Sequence, residues 1–469
     1  MIASALARLR ESLGEDAVLT ADSALERYLI DERRLYHGRA AAVLRPRTTE
    51  EVALAVRVCA EARIAMVPQG GNTGYCGGAT PDESGREVVI SLERLRQIRA
   101  LDAQGFTLTA EAGVTLAELQ TAAAAGRRLF PLSMGSEGSC QLGGVLSTNA
   151  GGLAVLRYGT ARELVLGLEV VLPDGEIWHG LSALRKDNTG YDLKQWFLGA
   201  EGTLGVITAA VLKLFPQPGT RETAWVGVSG LAAACELLSR LREALGDAVT
   251  SFEFLSAASL ALVLARDSNA APPFAGAPGF VLLEVSGSAH DTLRDALTQA
   301  LLNAVEAGLI GEVAIAQSEA QRRAFWRLRE GIPLAEKALG GSIKHDVSVP
   351  ISSLATLAER ASDGIFAHWP TARLSVYGHI GDGNLHYNVL APEDCPAEAF
   401  KAQHADAISA LVHGAASALA GSFSAEHGVG KLKRELLHQT ESPLAIDLMQ
   451  RIKHALDPAG LMNPGKLVG

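Results

Sequence analysis

Pro68-Gln69-Gly70-Gly71-Asn72-Thr73-Gly74 follows an apolar run, Ile64 to Pro68, that reads as a strand. Glycines at 70, 71 and 74 let consecutive backbone amides turn toward an anion. The spacing is neither G-x-G-x-x-G nor G-x-x-x-x-G-K-[ST], and no helix opens directly after it, so neither the Rossmann fingerprint nor the P-loop is present. Alone, the loop fits an ordinary glycine turn equally well. A second segment, Pro131 to Gly152, carries Gly135, Ser136, Ser139, Cys140, Gly143, Gly144, Ser147, Thr148, Asn149, Gly151 and Gly152. It is too small and polar-sided for a core element, yet Leu142, Val145 and Leu146 need burial, which a surface loop does not give. A wall around an extended cofactor satisfies both demands, with Ser139, Thr148 and Asn149 as donors and acceptors.

Outward from these loops, a strand is expected to end at Pro46. A helix then opens at Thr48, with Glu51 completing a capping box. Its body, Val52 to Ala62, keeps Val52, Val56, Cys59 and Ala60 at helical spacing. Short alternating strands are expected from Val88 to Val114, and Thr115 precedes an Ala-rich helix over 116–125. Residues 107–214 read as βαβ-like pieces separated by glycine. Pro216-Gln217-Pro218-Gly219 is a clear break. Beyond it, strands at 225–228, 249–255 and 280–286 alternate with helices at 231–245, 397–420 and His290 to Ala307, and Ala270 to Pro278 is a loop. That order predicts an α+β layer, with helices covering one face of a mainly antiparallel sheet.

Tyr377-Gly378-His379-Ile380-Gly381-Asp382-Gly383-Asn384-Leu385-His386 reads as two strands joined by a tight turn. The period of two puts His386, Asn388 and Leu390 on one face, with His379 brought beside them. Glu426-His427 follows forty residues later. Two histidines and a glutamate suit a catalytic metal with an open position. Alone, the pair is equally consistent with structural histidines bonded to backbone or carboxylate.

The chain has 469 residues, enough for two or three domains, with 48% hydrophobic and 20% charged residues, the balance of a globular protein. A net charge of −10 and the lack of a basic stripe argue against nucleic-acid binding. Five scattered cysteines without a Cys-x-x-Cys pair read as reduced thiols. Residues 1–19 carry charges inside an amphipathic pattern, so they read as a surface helix and not a signal peptide. No apolar run is long enough to span a membrane. A cytoplasmic location is the expectation.

Taken together, several ordered motifs resemble one family over nearly the whole chain. They are Gly70 to Gly74, Gly135 to Gly152 with Arg157-Tyr158-Gly159, Asp187 to Leu193, Leu198 to Thr208, Gly378 to His386, Glu426 to Lys431 and Leu456 to Lys466. The family is the FAD-linked oxidoreductases of the vanillyl-alcohol oxidase type, in the branch of the D-2-hydroxyglutarate and D-lactate dehydrogenases. The resemblance implies an α+β chain with a two-part FAD-binding domain (1–218), a substrate-binding cap with a mainly antiparallel sheet (219–418) and a C-terminal segment returning to the FAD (419–469).

It assigns the cofactor to Pro68, Gly70, Gly71, Asn72, Thr73, Gly74, Gly135, Ser136, Ser139, Gly143, Thr148, Asn149, Gly152, Gly202, Ile207, Glu426 and Asn463. Asn72 stands where covalent relatives carry a flavin-linked His, so a non-covalent FAD is implied. Cys140 is taken as ordinary packing. His379, His386 and Glu426 would hold a divalent ion, zinc or similar, and His427 would be the catalytic base and a substrate contact. Arg329, Lys344 and Asn388 would bind substrate. Pro333 replaces a threonine that contacts the distal carboxylate in the 2-hydroxyglutarate enzymes, whereas D-lactate-type relatives lack a Lys at 344.

The implied reaction is oxidation of a D-2-hydroxy acid, D-2-hydroxyglutarate or D-malate foremost, with hydride transfer to flavin. The alternatives are a D-lactate or broad-range D-2-hydroxy acid dehydrogenase, or an oxidase using oxygen. The electron acceptor would be an electron-transfer flavoprotein or a quinone, not NAD, and a homodimer is expected. A zinc hydrolase would explain the triad but not the glycine loops, and a non-catalytic binding protein would explain neither.

Overall fold

A computed structural model describes residues 2–288 and 292–469. The chain divides into two compact units. Met1–Gly152, Gly159–Gln217 and Glu426–Gly469 make the first; Leu153–Tyr158 and Pro218–Ala425 make the second.

The first unit opens with β1 (Val18–Leu19), β2 (Ala42–Leu44), β3 (Met66–Gln69) and β4 (Val88–Ser91), in the order β1-β2-β4-β3. β2 and β3 run parallel to β4. The helix Thr49–Glu61 makes the crossover from β2 to β3 and buries Val52, Val56 and Cys59 against Leu44, Met66 and Ile90. Its expected capping box is only half formed. Thr48 accepts from the Glu51 amide at 3.2 Å, but Glu51 accepts from Arg47 N at 2.7 Å instead of from Thr48. The full reciprocal pair forms at the helix Leu116–Ala125, where Glu118 accepts from Thr115 N at 2.8 Å and Thr115 accepts from Glu118 N at 3.3 Å.

Next come β5 (Ile98–Asp102), β6 (Thr107–Glu111), β7 (Arg128–Leu129), β8 (Val165–Val171), β9 (Ile177–Gly180), β10 (Val206–Lys213) and β11 (Phe215–Pro216). They form an antiparallel sheet ordered β5-β6-β10-β8-β9 and a β11-β7 ribbon. The βαβ-like reading of residues 107–214 is therefore corrected. Short apolar runs suit either strand direction; the tight turn at Gly175 (φ +84°) and the insertion of β10 between β6 and β8 make these pairs antiparallel. The end of the chain comes back to β3, where Met66 N donates to Leu461 O and Asn463 N to Met66 O, at 2.8 and 2.7 Å.

The second unit is built on β12 (Thr220–Val228), β13 (Val249–Ser256), β14 (Gly279–Gly287), β15 (Ile310–Ile315), β16 (Asp346–Ser348), β17 (Arg373–Gly378) and β18 (Asn384–Leu390). The order is β15-β12-β14-β13-β17-β18-β16, antiparallel throughout. Helices Leu231–Leu245, Leu293–Glu306, Leu354–His368 and Ala397–Ser417 pack on one face against Val226, Phe252, Leu283 and Tyr387. Helices Ala257–Arg266, Glu319–Glu330 and Ile332–Ala338 pack on the other, against Trp225, Leu255, Leu282 and Tyr377. The expectation of helices on one face is thus corrected to both. β14 is buried at all but its last residue, so it never shows the polar alternation of a one-sided sheet. The helix expected from His290 is seen from Leu293; His290 itself lies outside the described residues.

Candidate active site

In the first unit the two glycine segments lie against each other. A Cβ on Gly71 would sit 2.1 Å from Ser139 O, and one on Gly70 3.3 Å from Gly144 N. Gly143 and Gly152 are equally closed, by Ala112 and by Ser133 O. Gly74, Gly135 and Gly144 instead border open space, so their backbone is presented without a side chain. Asn72 (φ 54°) turns left-handed beside Thr73 and donates to Ile30 O at 2.8 Å.

The segment is not all loop. Leu142–Ser147 is a short helix that buries Leu142, Val145 and Leu146, while burial raises the pKa of the Cys140 thiol. Several side chains expected to face a cofactor serve the segment itself. Ser139 Oγ donates to Ser136 O (3.3 Å) and Thr148 Oγ1 to Gly144 O (3.0 Å). Asn149 Oδ1 accepts from Thr160 Oγ1 and Arg162 N. Ile207 is buried in β10, and Gly202 (φ 71°) closes the turn before it, with Pro68 as neighbour. Asn463 donates to Gly78 O and Glu201 O, yet its buried Oδ1 has no partner, and neither has Gln141 Oε1. Bare backbone facing open space and orphaned buried acceptors fit a large ligand rich in phosphate and N–H groups, as FAD is.

The segment carrying Glu426 and His427 is held by a residue the sequence reading passed over. Glu201 accepts from Val429 N and Gly430 N, both at 2.7 Å, and its burial raises the carboxyl pKa. Cys76 Sγ donates to Gly428 O at 3.3 Å. The His427 ring lies 4.9 Å from that of Tyr75, and its Nε2 is 3.9 Å from Glu426 Oε1.

In the second unit, strand register gathers the candidates on one sheet face. Asp346 pairs with His386 and His386 with Tyr377, while Asn388 pairs with Ser375 one row on. The bridge between Ile343 and Val389 extends that register, setting Lys344 opposite Asn388. His379 is not on a strand: β17 ends at Gly378, and His379 begins the turn, so the expected strand position is corrected. Gly378 (φ +154°) lets the chain leave the sheet there, and the His379 and His386 rings stand edge to face 5.5 Å apart. His386 Nδ1 is 3.9 Å from Asp346 Oδ1, a carboxylate to which the sequence reading gave no role. Two imidazoles with a neighbouring carboxylate are a donor set suited to a divalent ion.

Each candidate cation meets a buried acid. Glu253 on β13 accepts from Arg329 Nε at 2.7 Å and binds His379 Nδ1 at 2.6 Å. Burial alone would raise its pKa; His379 and Arg329 outweigh that and hold it at about 2. Arg329 also lies over the Tyr377 ring, 4.6 Å from its centroid. Glu336 accepts from Lys344 Nζ at 2.8 Å and from Asn388 Nδ2 at 2.9 and 3.1 Å. Asn388 Oδ1 in turn accepts from His345 N. The two cations that the resemblance assigns to substrate are thus each paired with an acid of the chain. Glu336 stands only eight residues before Lys344, whereas Glu253 stands 126 residues before His379.

Residues 40–180 match the family described as FAD binding domain, and residues 217–467 the family described as FAD linked oxidases, C-terminal domain. A bovine protein named D-2-hydroxyglutarate dehydrogenase, mitochondrial, is 39% identical over 96% of this chain and 81% of its own length. The Arabidopsis thaliana protein of that name is 36% identical over 98% and 80%. A D-2-hydroxyglutarate–pyruvate transhydrogenase of Saccharomyces cerevisiae is 34% identical over 99% and 94%. Among solved structures, p-cresol methylhydroxylase has a TM-score of 0.75 at 19% identity, over 99% of this chain and 96% of that one, a likeness of fold. These relatives also overturn the cytoplasmic expectation, because the bovine, rat and Arabidopsis proteins are all named as mitochondrial. Among the described residues no helix is long and apolar enough to cross a membrane. With both domains matched and relatives alike across nearly its full length, the chain belongs to the FAD-linked oxidoreductases of the vanillyl-alcohol oxidase type, in the branch of the D-2-hydroxyglutarate dehydrogenases.

Proposed function

We propose that this protein is an FAD-dependent dehydrogenase that oxidises a D-2-hydroxy acid to the 2-oxo acid, with D-2-hydroxyglutarate or D-malate as leading substrates. The observation that carries this is the identity to D-2-hydroxyglutarate dehydrogenases across 96% of the chain or more. The loops Pro68–Gly74 and Gly135–Gly152, with Gly202, Ile207, Glu426 and Asn463, hold FAD. Bound FAD supplies the acceptor for the C2 hydride. It is held without a covalent bond, since Asn72 has no nucleophilic ring nitrogen; acid should release it intact, and a flavin-bearing tryptic peptide would overturn this.

His379, His386 and Glu426 hold a divalent ion, zinc for preference. Such an ion would bind the carboxylate and hydroxyl of a 2-hydroxy acid together and ease loss of the hydroxyl proton. Glu253, bonded to Nδ1 of His379, fixes that ring so that Nε2 would serve as the ligand. His427 takes the hydroxyl proton, a task suited to a neutral imidazole at pH 7. Packing on Tyr75 and the Glu201 clamp on the following residues keep its ring from wandering. Arg329, Lys344 and Asn388 orient the acid. The electron acceptor would be an electron-transfer flavoprotein or a quinone, and the enzyme would work as a homodimer.

A second reading, a D-lactate or broad-range dehydrogenase, is favoured by one observation: Lys344 is already neutralised by Glu336. Anaerobic mixing with a panel of D- and L-hydroxy acids tests both. Flavin bleaching by D-acids alone is expected, and prior chelation should stop it while FAD stays bound. Bleaching by chelated, metal-free protein would remove the ion from the reaction.

A further inference from the structure

We infer that Glu336 is a specificity-determining residue that limits how much this enzyme gains from a second substrate carboxylate; the inference rests on the D-2-hydroxy acid reading above. Glu336 sits in the helix Ile332–Ala338, one turn after Pro333, and is fully buried. Its carboxylate takes four short contacts: Lys344 Nζ at 2.8 Å, Ser342 Oγ at 2.9 Å, and Asn388 Nδ2 at 2.9 and 3.1 Å. Lys344, just before β16, lies opposite Asn388 on β18, so one acid grips two groups assigned to the substrate. Lys344 keeps 27% of its side chain exposed, while Glu336 keeps none.

Charge and reach give the consequence. An ammonium offers three N–H donors, and the Glu336 bond occupies one. A distal carboxylate arriving at Lys344 can still take a hydrogen bond, but it also meets Glu336 one contact further in. Repulsion from the glutamate offsets part of the attraction to the lysine, because the acid lies only one contact further in and neither charge is fully screened by solvent. A substrate with a neutral or short tail forgoes little. Pro333 acts in the same direction, since it offers no hydroxyl to a distal carboxylate. Glu336 therefore works as a brake on diacid preference and holds Asn388 in place.

The test is the ratio of kcat/KM for D-2-hydroxyglutarate to that for D-lactate in the FAD- and metal-loaded enzyme. Glu336→Gln keeps an acceptor for Ser342 and Lys344 while removing the charge, and should raise the ratio by about tenfold or more, which is one unmasked charge contact. Lys344→Met should lower the ratio by a similar factor, because Glu336 then faces the diacid uncompensated. Adding Glu336→Gln to Lys344→Met should bring it back toward wild type. If Glu336→Gln does not fold, comparing Lys344→Met with the charge-free E336L/K344M pair decides the matter; the ratio must be higher in the pair. A ratio that falls or stays level in Glu336→Gln overturns the inference while leaving the dehydrogenase reading intact, and a level ratio makes Glu336 a purely structural acid. If wild-type protein oxidises no D-2-hydroxy acid, that reading falls and this inference with it.

Discussion

The glycine loops of the first unit and the sheet face of the second are built on opposite principles. Around Gly71 and Gly144 the chain shows bare backbone, and the close approach of two segments depends on having no Cβ at all. On the β13-β17-β18-β16 face the chain shows long charged side chains, each opposed by a buried acid: Glu253 against Arg329, Glu336 against Lys344. Backbone recognition is rigid and tolerates no added atom. Side-chain recognition is adjustable, but it works only if every buried charge finds its counter-charge. In the first unit the pattern fails at Lys466, which is buried with no carboxylate in contact among the described residues. Burial therefore lowers its pKa to about 8, with Glu87 and Asp82 only partly offsetting this.

Breaking a pair in the second unit should have the largest effect. Arg329→Met leaves Glu253 as a buried carboxylate with one partner fewer and should cost about 3–5 kcal/mol of stability, measured by denaturant unfolding. A cost below about 1 kcal/mol would show that the acid is solvated and that charge pairing is not what organises this face. Gly71→Ala comes next. Its new Cβ would meet Ser139 O, a backbone atom that cannot swing away, so a loss of about 3 kcal/mol and of bound flavin is expected. Gly74→Ala, which points into open space, should leave stability unchanged and weaken only flavin retention. Equal losses for the two variants would deny the distinction between packing and ligand-facing glycines.

Lys466→Met should move stability the other way. The folded pKa lies near about 8 against 10.5 for an ordinary lysine, so the folded state carries the cost of the charge at every pH below 8 and is relieved of it as pH rises toward 10.5. Removing the charge should add up to about 3 kcal/mol at pH 7, with the gain shrinking above pH 8 and gone above pH 10.5. A gain independent of pH would mean packing, not charge, is responsible. The smallest effect tests the local signals: Thr115→Ala should cost about 1 kcal/mol by removing the fully formed capping box. Thr48→Ala should cost less, because its box is half made.

Local signals in this chain were legible wherever a few neighbouring residues carry the reason. The helix over 116–125 begins at its Thr115/Glu118 box, and the hairpin around Gly378–Gly383 turns where the glycines are. So was the antiparallel character of the second sheet, expected from strands separated by helices that can cover it. Strand direction between β6, β8 and β10 was not legible, because a short apolar run has no preferred partner until the others are in place. Nor was the covering of the second sheet on both faces, which follows from how many helices find room against it. The histidines stood out by type and spacing, since few residues can ligate a metal, and Arg329 and Lys344 only through the family resemblance. Glu253, Glu336, Asp346 and Glu201 did not stand out: an acid in a strand or helix looks like any solvated one. Only the tertiary fold brought Glu253 across 76 residues to Arg329 and turned four ordinary carboxylates into buried counter-charges and clamps, because a charge's worth depends on its surroundings and not on its neighbours in the chain.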